Sequence, residues 1–465
     1  MYRWMALSVL CIAFLVGPPA ALAQSADTDK ASVAGDHVGG GKADEIKTAK
    51  ISGEKQRQDG KKKQADDKQQ ADEQGPATEP AAQEEPEEQE EPEDDNGVKV
   101  SYRGGLRLEA ENGLFSARIR WRAQTRVTHL SSEDLAGEDD GIEEESGFRI
   151  QRARFKIDGH MYKPWLNYYL EFSIARPAML TFQFDAAPSE EIGLRLGQYK
   201  AVYNRERLDS SGAQQFVDRS VVNSPFTVDR QQGATVVGRL FAGRLADSSY
   251  AGGIFTGTGR GGSLEGDGRP MYVGRWQWNF LKRLLPFSQS DIARREEPAA
   301  SLAFAAMSNV GQFTRFSSSG GGQLPGFSPG LPDQYKLTQW MAEFAFHGHG
   351  LSLQAEYHFK RVDDRVNEQV TDFTGWYAQA GYFFHEAFEG FPDPLELAVR
   401  VARVEDDEGG AVLPTDEEVT VAGNWFFNGH NNKITVDTSW LKNTLPFGLF
   451  EDSGWRIRGQ WDVQF

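Results

Sequence analysis

The stretch that decides the fold runs from Phe115 to His129 and reads FSARIRWRAQTRVTH. Taken every second residue, it separates into an apolar set and a polar set, which is the period of a β-strand. The polar set contains four arginines and no acid, namely Arg118, Arg120, Arg122 and Arg126. Neighbours on one face of a strand lie roughly 7 Å apart, so these arginines repel one another unless water, anions or acids face them. The pattern favours a strand with lipid on one side and an aqueous lumen on the other.

The N-terminal residues have the pattern of a secretory signal peptide. Arg3 precedes an apolar run from Met5 to Val16, and Ala21-Leu22-Ala23 is a small-residue cleavage site. The run is too short to cross a bilayer as a helix, so we predict a signal peptide over residues 1–23. Cys11 is the single cysteine of the sequence and lies inside this segment. We therefore expect a mature chain without disulfides and without a cysteine-based metal site or nucleophile.

The last residues form a second strongly amphipathic strand. Trp455, Ile457, Trp461 and Phe465 alternate with polar side chains. A terminal aromatic residue on such a strand resembles the assembly signal of bacterial outer-membrane proteins. Beyond residue 23 no stretch approaches the ~20 apolar residues of a membrane helix. An exported chain of this kind is either soluble or a β-barrel, and the final strand favours a barrel in the bacterial outer membrane.

Residues 24–96 have the composition of a linker. They are rich in Gln, Glu, Asp, Lys, Ala and Pro, with few large apolar side chains. Such a segment cannot bury enough surface to fold, and we predict that it is disordered. Residues 1–96 carry 11 basic and 21 acidic side chains, which is more than half of the net charge of −18. The simplest role is a periplasmic spacer, and a contact with the cell wall or another envelope partner is the alternative.

Residues 97–465 show strand periodicity throughout. We predict an all-β fold, a 16-stranded antiparallel transmembrane β-barrel preceded by the disordered N-terminal segment. Aromatic residues such as Trp165, Trp276 and Trp425 lie near strand ends, as in the interfacial girdles of such barrels. The predicted strands are 115–129, 147–160, 164–174, 178–186, 191–198, 232–241, 245–256, 269–280, 299–308, 335–346, 351–362, 371–385, 396–406, 417–427, 432–442 and 454–465.

The connections between these strands differ in length and composition. Four short ones, at 163–164, 187–189, 348–350 and 428–431, are predicted as periplasmic turns. The acidic or Gly/Ser-rich stretches are predicted as outer loops, and they comprise 131–146, 199–231, 257–268, 281–298, 309–333, 363–370, 407–416 and 443–453.

Several stretches resemble the phosphate-selective porin O and P family. They include YRGGLRLE at 102–109, QRARFKIDGHMYKPWLNYYLEFS at 151–173, LRLGQYKAVYNRERLDSS at 194–211 and the closing WRIRGQWDVQF. The likeness covers residues 97–465. It implies a trimeric, sixteen-stranded outer-membrane channel, with arginines along the bore that attract anions. It also implies a third loop that folds inward and carries a basic residue at the constriction.

The resemblance also assigns individual residues. Arg122 matches an arginine of the first strand, and Arg152 matches one arginine of the R-R-A motif, whose other arginine is replaced by Gln151. In the inward loop, Arg207 stands where the family has its constriction lysine, and Arg219 matches an arginine further along. Replacing lysine by arginine keeps the charge but substitutes a planar fork for a compact ammonium group.

Other basic residues share the polar parity of their strands and extend the arginine face. These are Arg154 and Lys156 in the second predicted strand and Arg456 and Arg458 in the last. Pairing with acids across the lumen, which would only stiffen the wall, is the alternative role for all of them. The candidate pore-lining and anion-binding residues are Arg118, Arg120, Arg122, Arg126, Arg152, Arg154, Arg207, Arg219, Arg456 and Arg458.

No motif indicates catalysis, a cofactor or a metal. His347 and His349 flank Gly348, but without a third ligand they indicate a turn. The glycine-rich stretch 257–262 lacks the Lys-Ser or Lys-Thr and the helix of a phosphate-binding loop. The serines are not accompanied by a recognisable base and acid.

The sequence therefore predicts a porin, not an enzyme, that passes small hydrophilic solutes by passive diffusion. We expect a preference for anions, phosphate or related oxyanions, a homotrimer in contact with membrane lipid, and no nucleic-acid partner. The stretch 131–146 carries eight acidic residues that oppose anion capture. A non-selective or weakly cation-selective porin, and an adhesin or receptor barrel that acts through its outer loops, remain alternatives.

Overall fold

The structure is a computed structural model that describes residues 97–132, 138–139, 142–143, 145–264, 268–317, 320–406, 415–444 and 451–465. The predicted signal peptide (1–23) and linker (24–96) lie outside the described residues. In the part of the chain that is described, no helix is long and apolar enough to cross a membrane.

Sixteen long strands form the body of the fold. Two short hairpins, β4 (Glu138–Asp139) with β5 (Ile142–Glu143) and β14 (Arg315–Ser317) with β15 (Gly320–Gly322), lie outside the main sheet. A further hairpin, β1 (Val98–Tyr102) with β2 (Leu106–Ala110), precedes the long strands. The long strands are β3 (Ser116–Leu130), β6 (Gly147–Met161), β7 (Lys163–Ser173), β8 (Ala178–Ala186), β9 (Gly193–Lys200), β10 (Arg230–Leu240), β11 (Ser248–Phe255), β12 (Met271–Trp278), β13 (Ala299–Gly311), β16 (Tyr335–Gly348), β17 (Leu351–Asp364), β18 (Gln369–Phe383), β19 (Leu395–Asp406), β20 (Thr415–Phe426), β21 (Asn432–Thr444) and β22 (Glu451–Gln464).

The sheet closes on itself. Each long strand pairs antiparallel with the next one along the chain, and β22 pairs antiparallel with β3, from Arg456 opposite Leu130 to Gln464 opposite Arg122. The hairpin β1–β2 adds to the beginning of β3, where Leu106 lies opposite Ile119. Closure satisfies the backbone hydrogen bonds of every strand, which is the condition for crossing a bilayer with β-structure. The predicted 16-stranded antiparallel barrel is confirmed.

The two faces of the wall follow the sequence alternation. Trp121 and Val127 on β3 are 44% and 54% exposed, whereas Arg122 and Arg126 on the same strand are 3% and 0% exposed. On β22, Trp455 and Trp461 are likewise exposed. The apolar set therefore faces outward, where lipid covers it, and the arginine set faces the lumen.

The connections lie at two ends of the barrel, which we call the turn end and the loop end. The turn end carries Phe465 and the tight turns at Tyr162 and at His349-Gly350. Strands alternate in direction, so the connection after β12, residues 279–298, also lies at the turn end. The prediction of an outer loop at 281–298 was wrong. It relied on the length and the charged residues of this stretch and did not take into account that the strands alternate in direction.

One loop-end connection folds into the barrel. The inward loop, residues 201–229, joins β9 to β10 and contains two short helices, Arg205–Leu208 and Asn223–Phe226. Most of its residues are buried. A 3₁₀ turn, Phe384–Glu386, lies at the turn end.

Candidate functional site

Arginines of the wall hold the inward loop in the lumen. Arg122 donates from Nε to Asp462 Oδ1 at 3.0 Å and from Nη1 to Ser211 Oγ at 3.1 Å. Arg126 donates from Nη2 to the Val217 carbonyl oxygen at 3.1 Å. These buried charge-assisted contacts are stronger than neutral hydrogen bonds. The polar face of β3 is thus a docking surface for the inward loop.

The opposite side of the inward loop packs as an apolar core. Tyr203, Val228 and Phe226 are at most 1% exposed and belong to one buried cluster with lumen-facing wall residues such as Leu337 and Met341. From the sequence, the lumen face was expected to be polar, and this core was not predicted. The sequence does contain a signal for this core, because strands such as β13 and β16 carry apolar residues at positions that face the lumen. The core fills one side of the bore.

The loop is also fixed by charges within itself. Arg207 pairs with Asp229, with Nε 2.7 Å from Oδ1. Arg219 donates to the backbone carbonyl oxygens of Glu206 and Asp209 at 2.9 and 3.1 Å. Both arginines stabilise the folded loop, and their guanidinium groups are almost completely buried.

Buried carboxyl groups of the inward loop have shifted pKa values. Burial raises the pKa of Glu206 to about 8, and the nearby carboxylate of Glu356 adds to the shift while Arg400 opposes it. Burial likewise raises the pKa of Asp209 to about 7. Burial also acts to raise the pKa of Asp229, but Arg207 and Arg230 outweigh it and hold that pKa below its usual range.

A second segment reaches the inward loop from the turn end. In residues 279–298, which we call the turn-end segment, the backbone N–H of Gln289 donates to the Ala213 carbonyl oxygen at 3.0 Å. The side chain of Gln289 accepts a hydrogen bond from the backbone N–H of Gln215 at 2.9 Å. Arg205 Nη1 donates to the Pro286 carbonyl oxygen at 2.8 Å. The two segments therefore narrow the bore together.

A cavity of about 710 Å³ lies between the inward loop, the turn-end segment and the wall formed by β6 to β12. Among the described residues that line it, seven are cationic and two are carboxylates. The cations are Arg154, Lys156, Arg195, Lys200, Arg230, Arg239 and Arg275, and the carboxylates are Glu171 and Glu190.

Four of these cations, Arg154, Lys156, Lys200 and Arg230, form what we call the cation cluster. Three of them share Glu171: Arg154 Nη1 lies 3.0 Å from Oε1, Lys156 Nζ 3.9 Å from Oε1, and Arg230 Nη2 3.0 Å from Oε2. Lys200 Nζ donates to the Arg207 carbonyl oxygen at 2.6 Å. Positive charge is therefore concentrated at this wall of the cavity.

Arg154 is the one member of the ten residues predicted from the sequence that lines the cavity. Arg118 and Arg120 both pair with Asp158. Arg152 lies 3.9 Å from Asp218 of the inward loop. The remaining six lie in the loop contacts already described or on the lumen face of β22, where Arg458 pairs with Asp437 at 2.7 Å and Arg456 Nη2 lies 3.5 Å from Ser439 Oγ.

Sequence reasoning missed Lys200, Arg230 and Glu171 as members of one group. The strand pattern predicts that each of these side chains faces the lumen or lies at the base of the inward loop. Whether they lie close together depends on the register of four neighbouring strands. Within the described residues, no cluster of His, Cys, Asp or Glu has the arrangement of a metal site.

The comparison with family models decides the family. The model of phosphate-selective porin O and P matches residues 122–300 and 327–445. The chain belongs to this family. It is an outer-membrane porin, and family and fold both point to a channel rather than an enzyme.

Solved structures of other outer-membrane barrels share the fold of this porin. A loop L8 deletion mutant of OmpT from Vibrio cholerae has a TM-score of 0.51 and 8% identity, covering 76% of this chain and 100% of that one. The outer membrane channel DcaP of Acinetobacter baumannii has a TM-score of 0.50 and 10% identity, with coverages of 77% and 99%. The search of curated proteins found no match.

Proposed function

We propose that this porin prefers anions and that the cavity beside the inward loop is its selective region. The observation that carries the proposal is the excess of cationic over acidic residues among those that line the cavity. A bore whose wall carries one sign of charge raises the local concentration of the opposite ion. Phosphate and related oxyanions are the first permeants to test, because the family description names phosphate.

The charge balance supports the cation cluster as the attracting element. Arg195, Arg239 and Arg275 each pair with one carboxylate, namely Asp185 at 2.8 Å, Asp247 at 2.6 Å and Glu343 at 2.8 Å. The cation cluster has fewer acids around it, because three of its members share Glu171. A passing anion therefore experiences the attraction of the cluster in particular.

The arrangement also allows release. The cations are held by Glu171 and by backbone carbonyl groups, so an anion competes with existing partners and is not bound by bare charges. Permeation needs sites that attract an ion without trapping it. Diffusion through such a site requires no energy source, no cofactor and no covalent step.

The ten arginines predicted from the sequence contribute to this function in different ways. We propose that Arg154 attracts anions directly. Arg122, Arg126, Arg152, Arg207 and Arg219 act by fixing the inward loop, which sets the width of the bore. Arg118, Arg120, Arg456 and Arg458 contribute to the positive potential of the lumen wall. We also propose a homotrimer, following the family resemblance, and expect the purified porin to have three times the chain mass by native mass spectrometry.

The test is the reversal potential of the full chain in a planar bilayer under a KCl gradient. We expect an anion-selective potential, and we expect Arg154→Gln to reduce the anion-to-cation permeability ratio roughly two- to fivefold, because a permanently charged guanidinium group beside the path is lost. Lys336→Gln is the matched control, since Lys336 is exposed on the outer face of β16. A cation-selective potential in the unmodified porin would overturn the proposal and favour a general porin governed by its acidic loops.

A further inference from the structure

Part of the wall of the cavity is apolar. Leu284 and Phe287 of the turn-end segment line the cavity and are 47% and 44% exposed. Leu208 and Val202 of the inward loop line it as well. A simple water-filled channel does not need large apolar side chains that stay half-exposed in its polar bore. Their presence therefore indicates a surface that can contact an apolar part of a permeant.

The exposed position of Phe287 is fixed by its neighbours. Leu285 is 1% exposed and packs with Ala299 and Ala345 of the wall. The guanidinium carbon of Arg205 lies 4.8 Å from the centre of the Phe287 ring, and Arg205 also binds the carbonyl of Pro286. A cation held over an aromatic face stabilises the ring position. Phe287 is therefore a built part of the cavity surface.

The cavity lining therefore contains both a charged wall, the cation cluster, and an apolar wall. An inorganic oxyanion uses only the charge, because it has no apolar surface to bury. A small organic anion uses both walls, with its carboxylate at the cation cluster and its hydrocarbon part against Leu208, Leu284 and Phe287. The cavity volume of about 710 Å³ lies within the range of pockets that hold small organic molecules.

We infer that the preferred permeants of this porin are organic carboxylates with an apolar body, rather than inorganic phosphate. The inference rests on the proposed anion preference and narrows it to a chemical class. The cation cluster supplies attraction and the apolar wall supplies discrimination between anions of equal charge.

The experiment compares three anions on the unmodified full-length porin in a planar bilayer. Benzoate, acetate and phosphate are each titrated against the chloride current. Benzoate and acetate share the carboxylate and differ in the apolar body, so their ratio isolates the apolar wall. We expect benzoate to halve the current at about a tenfold lower concentration than acetate, because its ring leaves water on binding. We also expect phosphate to halve the current only at a higher concentration than benzoate does.

Variants then assign the effect to the wall. Leu284→Ala combined with Phe287→Ala is expected to bring the benzoate-to-acetate ratio close to one while the reversal potential stays anion-selective. Phe304→Ala, which shortens a half-exposed phenylalanine on the outer face of the barrel, is the matched control and should leave the ratio unchanged.

The outcomes separate the inference from the proposed function. If benzoate and acetate block equally well, or if phosphate blocks at the lowest concentration, the inference fails while an anion-selective reversal potential still stands. If the reversal potential is cation-selective, the proposed function fails and the inference fails with it. Since the decisive comparison uses the unmodified chain, a variant that does not fold leaves the test intact.

Discussion

Arg207 and Asp229 form a two-point ion pair across the base of the inward loop, with Nε–Oδ1 at 2.7 Å and Nη2–Oδ2 at 2.5 Å. Asp229 immediately precedes Arg230, which belongs to the cation cluster and lies 3.6 Å from the same carboxylate. The Arg207–Asp229 pair therefore holds the inward loop in place and also affects the charge around Arg230 in the cavity. A residue that matches a constriction lysine in the family is, in this chain, engaged with an acid.

Arg207→Ala is expected to reduce both stability and anion preference. The substitution leaves Asp229 as a buried carboxylate with one fewer cation, which costs about 3–5 kcal/mol when a buried pair is broken. The same carboxylate then offsets Arg230, so the anion-to-cation permeability ratio falls. Thermal unfolding in detergent and the reversal potential measure the two effects.

The double variant Arg207→Ala with Asp229→Asn is the control for this prediction. It removes both charges and returns the local charge balance to that of the unmodified chain. We expect selectivity to recover if Arg207 acts through Asp229. A double variant that stays as unselective as Arg207→Ala alone would show instead that Arg207 contacts the permeating anion.

Glu171→Gln is expected to increase anion preference. Glu171 accepts hydrogen bonds from Arg154 and Arg230 at 3.0 Å each, and the glutamine keeps its shape but removes its charge. The cations then repel one another more strongly, so unfolding becomes easier by about 1–3 kcal/mol, while anions are attracted more. The reversal potential should move toward the equilibrium potential of chloride.

Asp437→Asn is the matched control for Glu171→Gln. Asp437 is a buried wall carboxylate that pairs with Arg458 at 2.7 Å and does not line the cavity. Asp437→Asn should lower the stability by a comparable amount and should change the selectivity less than Glu171→Gln does. Equal shifts in both variants would contradict a dominant role for the cation cluster and would assign selectivity to the lumen charge as a whole.

The barrel itself was predictable from local sequence, because each strand carries its own alternation. Phe115–His129 and the closing strand give the direction of both faces without any tertiary information. The outer-loop prediction at 281–298 failed where composition was given more weight than strand direction. The apolar core around Phe226 and Leu337 was missed because the lumen of a barrel was expected to be polar, whereas a loop folded into the lumen needs a surface to pack against.

The site was predictable only in part, because it depends on which strands are neighbours and in what register. The arginines of β3 were recognised from their pattern, but the pattern does not reveal that Arg122 and Arg126 hold the inward loop. Glu171 and Arg230 are separated by dozens of residues and meet through the pairing of four strands. A single sequence contains no local signal for such a meeting.

Deprotonation of Glu206 is expected to make the docked loop less stable as the pH rises. Burial raises the pKa of Glu206 from 4.5 to about 8, so the folded chain binds more protons than the unfolded chain between these values. Its contribution is fully present below about 4.5 and is lost as the pH rises through about 8. Thermal unfolding midpoints in detergent between pH 5 and pH 9 should therefore fall with pH.

Glu206→Gln tests the assignment of this pH dependence. The backbone N–H and the hydroxyl of Ser220 lie 2.7 and 3.0 Å from the two carboxylate oxygens. The amide oxygen of glutamine can accept from the N–H, and its NH₂ group can donate to the hydroxyl oxygen. We expect the slope of midpoint against pH to become smaller but not zero, because Asp209 has a pKa raised to about 7 and the same sign. An unchanged slope would assign the dependence to other groups.

Gly375→Ala tests whether the apolar side of the inward loop anchors it. Gly375 lies on β18, and a Cβ at this position would lie 2.4 Å from Phe226 Cε2, closer than real contacts allow. Phe226 is 0% exposed and is therefore enclosed by its neighbours. We expect a loss of about 1–3 kcal/mol of stability from overpacking, together with a larger and noisier single-channel conductance as the loop is displaced.

Gly459→Ala is the control, because Gly459 is also a strand glycine but has nothing within 4 Å of an added Cβ. It should be neutral or slightly stabilising, since glycine in a strand costs conformational entropy, and its conductance should match that of the unmodified porin. If Gly375→Ala loses stability but keeps the unmodified conductance, Phe226 serves only the packing of the wall. The width of the bore is then set by the arginine contacts on the other side of the loop.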